Sequence, residues 1–158
     1  MFSSTIGKMI MTFLVSMVPV IELRGAIPLG VGWGLDFWTV LPIAIIGNLV
    51  PVPFIIIFIK KIFAFMRRLS PKFNGVVTKL EKKAEKRAPT VRKYEFWGLF
   101  ILVAIPLPGT GAWTGALIAA MLDMRLKRAL PSIVLGVLTA GAIISLATMG
   151  VGKLIFSL

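Results

Sequence analysis

Three stretches of the chain run without a charged residue for longer than a lipid bilayer is thick. Residues 37–59, 96–122 and 129–152 hold 23, 27 and 24 residues with no Asp, Glu, Lys or Arg. About 20 such residues in a helix cross a hydrocarbon core of about 30 Å. Composition points the same way: 58% of the 158 residues are hydrophobic, 15% are charged and the mean hydropathy is +0.95. That is too apolar and too charge-poor for a water-facing domain of this length. A shorter uncharged run, 9–21, precedes Glu22 and Arg24. Met1–Val20 carries only Lys8 before its apolar part and lacks a small-x-small cleavage site, so it reads as retained structure and not as a signal peptide. An all-α, multi-pass integral membrane protein is expected.

The chain contains no Cys and no His, which removes thiol nucleophiles, disulfides, imidazole bases and the usual zinc or copper ligands. Acid or base chemistry would have to draw on Glu22, Asp36, Glu81, Glu85, Glu95 and Asp123, and no pair of these stands at a catalytic spacing. Enzyme activity, a metal site and a cofactor are therefore not expected.

In a soluble protein the net charge of +12 would suggest nucleic acid, but its distribution argues against that. Twelve of the eighteen Lys and Arg fall in residues 60–93, between two membrane-length runs. Cations in short loops beside spans mark the cytoplasmic side. Within this linker Ile62, Phe65, Met66, Leu69, Phe73, Val76, Val77, Leu80 and Ala84 recur at three- and four-residue steps. Arg67, Arg68, Lys72, Lys79, Lys82 and Lys83 fall between them, giving a basic amphipathic helix bent at Pro71 and suited to an anionic leaflet. The plainer reading is a solvated linker that fixes orientation.

An internal repeat organises the rest. Pro19, Leu35-Asp36, Leu41-Pro42 and Gly47 are echoed by Pro106, Leu122-Asp123, Leu130-Pro131 and Gly136, with two extra residues before the second Leu-Pro. Each copy opens with a stretch that cannot be one regular helix. Pro19 and Pro28 bracket Glu22–Gly25 in the first, and Pro106, Pro108, Gly109 and Gly111 crowd the second. A single crossing by 95–122 would put Arg125, Lys127 and Arg128 outside, against the positive-inside bias; a re-entrant hairpin keeps them inside. The expected order is a first membrane repeat over 1–59 (hairpin about 5–35, transmembrane helix about 38–59), the linker over 60–93, and a second repeat over 94–158 (hairpin about 95–122, transmembrane helix about 130–152). The two repeats would be inverted, with both termini outside, a transporter design.

Glu22-Leu-Arg-Gly-Ala-Ile-Pro-Leu-Gly30 and Pro106-Leu-Pro-Gly-Thr-Gly-Ala-Trp-Thr-Gly-Ala-Leu117 resemble the two signature stretches of the small multidrug export protein family. That family looks like a compact relative of the DedA superfamily. The resemblance implies two opposed re-entrant hairpins in a bacterial or archaeal cytoplasmic membrane. It also implies a role in moving a lipid-linked phosphate such as undecaprenyl phosphate. The chain departs from the DedA pattern in having no cation from Leu107 to Met124.

Glu22 and Arg24 are the foremost site candidates, because an ionisable group in an apolar segment costs roughly 2.5–3.5 kcal/mol and usually faces a cavity or a partner. Gly25 and Pro28 accompany them, and Pro106, Pro108, Gly109, Thr110, Gly111 and Trp113 form the second candidate stretch. There, Thr110 could simply cap the next half-helix, or the amides of Thr110–Trp113 could face a negative group. Asp36 and Asp123 read as helix caps, Trp33, Trp38, Trp97 and Tyr94 as interfacial anchors, and Trp113 as a plug at the hairpin junction. Asn48, Thr139, Ser145 and Thr148 could line a path or pack between helices. Three functions stay open: translocation of a lipid phosphate, proton- or sodium-coupled export of amphipathic cations, and a membrane scaffold. A homo-oligomer, such as a dimer, or close packing of the two hairpins would cover the unwound loops.

Overall fold

A computed structural model describes residues 4–156, with side chains as far as Lys153; residues 1–3 and 157–158, at the outer ends of the two expected repeats, lie outside the described residues. Among the described residues all regular structure is helical. The first part comprises α1 (Thr5–Met17), α2 (Glu22–Gly32), α3 (Phe37–Leu49) and α4 (Pro51–Leu69). The linker forms α5 (Pro71–Glu85) and α6 (Ala88–Tyr94), and α7 (Phe96–Ala104), α8 (Ala112–Met121) and α9 (Leu126–Phe156) complete the chain.

The boundaries follow local chemistry. Ser4 caps α1 by accepting from the Gly7 amide, and Asp36 caps α3 by accepting from the Trp38 amide at 3.0 Å. Together α3 and α4 make a predominantly apolar helical segment from Phe37 to Leu69, 33 residues, with a single non-helical residue at Val50 ahead of Pro51 and Pro53. The expected transmembrane helix ends near residue 59, yet α4 continues ten residues further. Lys60 and Lys61 do not stop it, because Ile62 to Met66 are competent helix formers whose apolar face persists. It ends at Ser70, whose extended backbone (φ −164°, ψ 147°) is what a residue before proline prefers. Ser70 then caps α5, so Pro71 separates two helices where a bend within one is expected. The second long apolar segment, Leu126–Lys153, lies within the 31-residue α9.

Packing couples each break to a long helix: α1 and α2 pack on α3, while α7 packs on α9. Contacts also cross between the parts, with α8 against α4 and α2 against α9. The shared core is aliphatic, with Leu23, Ile27, Leu99, Val103, Ile118 and Ile133 fully buried. Small residues permit the close approaches. A Cβ on Gly47 would lie 2.6 Å from the Phe13 carbonyl on α1, and one on Gly136 would lie 2.6 Å from Val103 on α7. Much of the outside is also apolar: Ile6, Leu14, Ile46, Phe54, Ile101, Leu138 and Leu146 are all exposed. Water does not tolerate such a surface over most of a protein, and lipid does.

Unusual backbone conformations recur at one spacing, which differs from the register expected of the residues. Val20, Glu22 and Gly34 have positive φ, and so do Gly109, Gly111 and Asp123, each 89 residues later. Both second arms end in the same turn, in which the Leu35 amide reaches the Gly30 carbonyl and the Met124 amide reaches the Ala119 carbonyl. Leu41-Pro42 and Gly47 already share this spacing with Leu130-Pro131 and Gly136. At this spacing Pro19 lines up with Pro108, and Asp36 does not line up with Asp123. Asp123 is not a cap: it occupies the left-handed turn after α8 (φ 52°) and pairs with Lys60 at 2.5 Å.

Candidate functional site

The first break is short. Val18 is extended, Val20 is left-handed and Glu22 already opens α2 with φ 50°. The second break runs from Ile105, which is extended, through Pro106 and Pro108 to Gly109 (φ 78°) and Gly111 (φ 116°). A positive φ at Gly111 suits a residue without Cβ, and the site leaves no room for one: a Cβ there would collide with the Glu22 carboxylate.

The two breaks are joined by side chains from α2 and α8. Glu22 is buried, and its Oε1 accepts from the Trp113 amide in the first turn of α8 at 3.1 Å. Arg24 donates to the Leu107 carbonyl at 2.6 Å, to the Thr110 hydroxyl at 2.9 Å and to the Ile105 carbonyl at 3.4 Å. Returning in the other direction, the Trp113 indole donates to the Met17 carbonyl at 3.0 Å. The carbonyls of Met17, Ile105 and Leu107, beside the helix breaks, thus gain donors from the opposite part of the chain, those of Ile105 and Leu107 in addition to the local amides of Leu107 and Thr110. Glu22 and Arg24 do not form an ion pair with each other among the described residues. The Trp113 amide at the start of α8 faces a negative group of the protein itself, the Glu22 carboxylate.

A cavity of about 550 Å³ lies beside this junction. Pro19, Val20, Glu22 and Arg24 form one wall, Pro106–Thr110 and Trp113 another, and Thr114 and Leu117 extend the second along α8. Ile55, Ile59 and Phe63 of α4 give it an apolar side, and Leu80, Lys83 and Ala84 of α5 close it. An apolar chamber with a few convergent polar groups is the usual form of a ligand site.

Several candidates are placed differently from expectation. Gly25 and Pro28 belong to a continuous α2 and do not line the cavity, so Glu22 and Arg24 stand on a helix and not in an unwound loop. Pro28 is tolerated because it is exposed and lies near the end of an eleven-residue helix, where it removes few bonds. Thr110 does not cap α8. Its hydroxyl lies 2.8 Å from the Ile105 carbonyl and 2.6 Å from the Leu107 carbonyl, donating to one while accepting from Arg24 and from the Leu107 amide. The capping role passes to Glu22. Thr139 and Thr148 bond back to their own helix, and Asn48 and Ser145 are buried, with no partner for Asn48 Oδ1 or Ser145 Oγ among the described residues. None of these four lines the cavity. Trp113 does sit at the junction, while Trp38, Trp97 and Tyr94 are exposed at helix ends.

Of the cations expected on a membrane surface, Arg68, Lys72, Lys79 and Lys82 are exposed, and Arg67 pairs with Glu81. Lys83 is exposed as well, but it alone of these also borders the cavity. A Cβ on Gly109 would stand 3.0 Å from its Cε and 3.5 Å from its Nζ, so the amine lies against the second break. Sequence periodicity gives no sign of this, since Lys83 is one cation among many on a helix whose register toward α8 is set by tertiary packing.

The sequence model described as "Putative small multi-drug export protein" matches residues 22–143. The chain belongs to this family. The match opens on Glu22 and spans both arms of the junction, the linker and the first half of α9, so the family's shared region contains the whole cavity wall except Pro19 and Val20. No curated protein and no solved structure matches the chain. Family and exposed apolar helices together make this a membrane protein with transmembrane helices.

Proposed function

We propose that the chain is a membrane transporter that carries an amphipathic molecule in the cavity between its two breaks, with a lipid-linked phosphate as its foremost cargo. One observation carries the reading: the cavity joins a long apolar side (Ile55, Ile59, Phe63, Leu117) to a polar end holding two cations and one already bonded carboxylate. That pattern suits a molecule with an apolar tail and a negative head. In this reading the two break-containing units are re-entrant hairpins and the repeats are inverted. The cavity would then open alternately to the two sides as one repeat rocks on the other. The basic linker lies on the cytoplasmic leaflet of a bacterial or archaeal inner membrane, where its exposed lysines meet anionic lipid. The resemblance to the DedA superfamily supports the same cargo, of the undecaprenyl phosphate kind. The reading needs no enzymatic step, cofactor or metal.

The second reading is proton- or sodium-coupled export of amphipathic cations. It is favoured by the family description and by the place of Glu22 on the cavity wall. Proteoliposomes separate the two. The proposed transporter moves a short-chain lipid phosphate and leaves a lipophilic cation largely where it was. Flux of the cation alone, lost in Glu22→Gln, would decide for export. Movement of neither would leave only a scaffold role.

A further inference from the structure

We infer that Lys83, on the linker helix α5, is the residue that selects the charge of the cargo, and that Thr114 assists it in holding a phosphate monoester head group. The inference rests on the cavity proposed above as the transport site. The three charged groups on its wall differ in what they are free to do. Glu22 is occupied by the Trp113 amide. Arg24 spreads its guanidinium over two backbone carbonyls and the Thr110 hydroxyl, all within the protein. Releasing it for a ligand would give up these charge-assisted hydrogen bonds, a loss comparable to what the ligand returns. Lys83 has no hydrogen-bond or ion-pair partner among the described residues, and its amine lies against the Gly109 turn. Thr114, in the first turn of α8, lines the same cavity with a hydroxyl that likewise has no partner among the described residues. An ammonium offers three donors and a hydroxyl one more, a set that a phosphate monoester can satisfy and a quaternary ammonium cannot.

The test uses the full chain in phosphatidylcholine nanodiscs, with equilibrium binding of dodecyl phosphate and of dodecyltrimethylammonium as the readout. Dodecyl phosphate should bind, Lys83→Met should weaken it about tenfold or more, and Thr114→Val should weaken it by a smaller factor. Lys82→Met, a neutralisation one residue away on the same helix but off the cavity wall, should change affinity less than about twofold. Lys83→Glu should reverse the preference toward dodecyltrimethylammonium. Inorganic phosphate should compete only weakly, because it lacks a tail for the apolar side. Equal losses in Lys82→Met and Lys83→Met would reduce the effect to general surface charge and overturn the inference. So would unchanged affinity in Lys83→Glu, or competition by inorganic phosphate as strong as by dodecyl phosphate. Binding through Lys83 without any flux in proteoliposomes would support the inference while removing the transport reading.

Discussion

Glu22 and Gly111 form the tightest steric agreement at the junction, with a carboxylate standing where the glycine's side chain would be. Gly111→Ala meets two penalties at once, a Cβ at φ 116° and a collision with Glu22. It should lower stability by at least about 1–3 kcal/mol, read as a fall in the thermal midpoint of the purified protein in detergent. An unchanged midpoint would mean that the carboxylate does not lie there. Arg24→Ala removes a charged donor shared by the Leu107 and Ile105 carbonyls and the Thr110 hydroxyl and should cost about 1–3 kcal/mol in the same assay. Arg24→Lys should recover less than half of that, because a point charge replaces a planar fork that spans three acceptors. Full recovery by lysine would show that charge alone matters. Glu22 and Arg24 were legible in the sequence because ionisable residues inside an apolar run break a rule. Their partners were not, since a backbone amide and two carbonyls leave no trace in residue identity. Lys83 stayed hidden for the opposite reason, as one more cation where cations are ordinary.

At the level of helices, proline and glycine placed the second break within a residue or two, and α7 and α8 fall inside the expected hairpin at 95–122. The same signals misplaced the first break, because Pro28 and Gly25 are absorbed into α2 while the chain turns at Val18–Ile21. Propensity is a weak prior when burial of Leu23, Ala26 and Ile27 favours continuing the helix. Charge is a poor guide to the end of α4, because the helix runs past Lys60 and Lys61 and ends only at Ser70 and Pro71. At about 1.5 Å per residue the 33 residues from Phe37 to Leu69 span roughly 50 Å, which exceeds the hydrocarbon core, so the last turns of α4 extend beyond it. The proposed topology makes this testable. Single cysteines at Ser70 and Lys127, in a chain otherwise free of cysteine, should both react with an impermeant thiol reagent only from the cytoplasmic face. Reaction of position 127 from the outside would turn the second hairpin into a full crossing.

For the molecule as a whole, the breaks shelter each other: the polar groups that a lone hairpin would expose to lipid are met by the opposite part of the same chain. A second copy is not required for that purpose. One chain per nanodisc should therefore bind dodecyl phosphate as tightly as any higher assembly, a point checked by native mass spectrometry beside the binding assay. Binding confined to a dimeric fraction would return the second copy to the account. The meeting of Glu22 with Gly111 has a further consequence: one carboxylate serves two helix starts, opening α2 and accepting from the first turn of α8. The two helices are thus a matched pair, one bearing the charge and the other the space for it, and neither position can be changed without regard to the other.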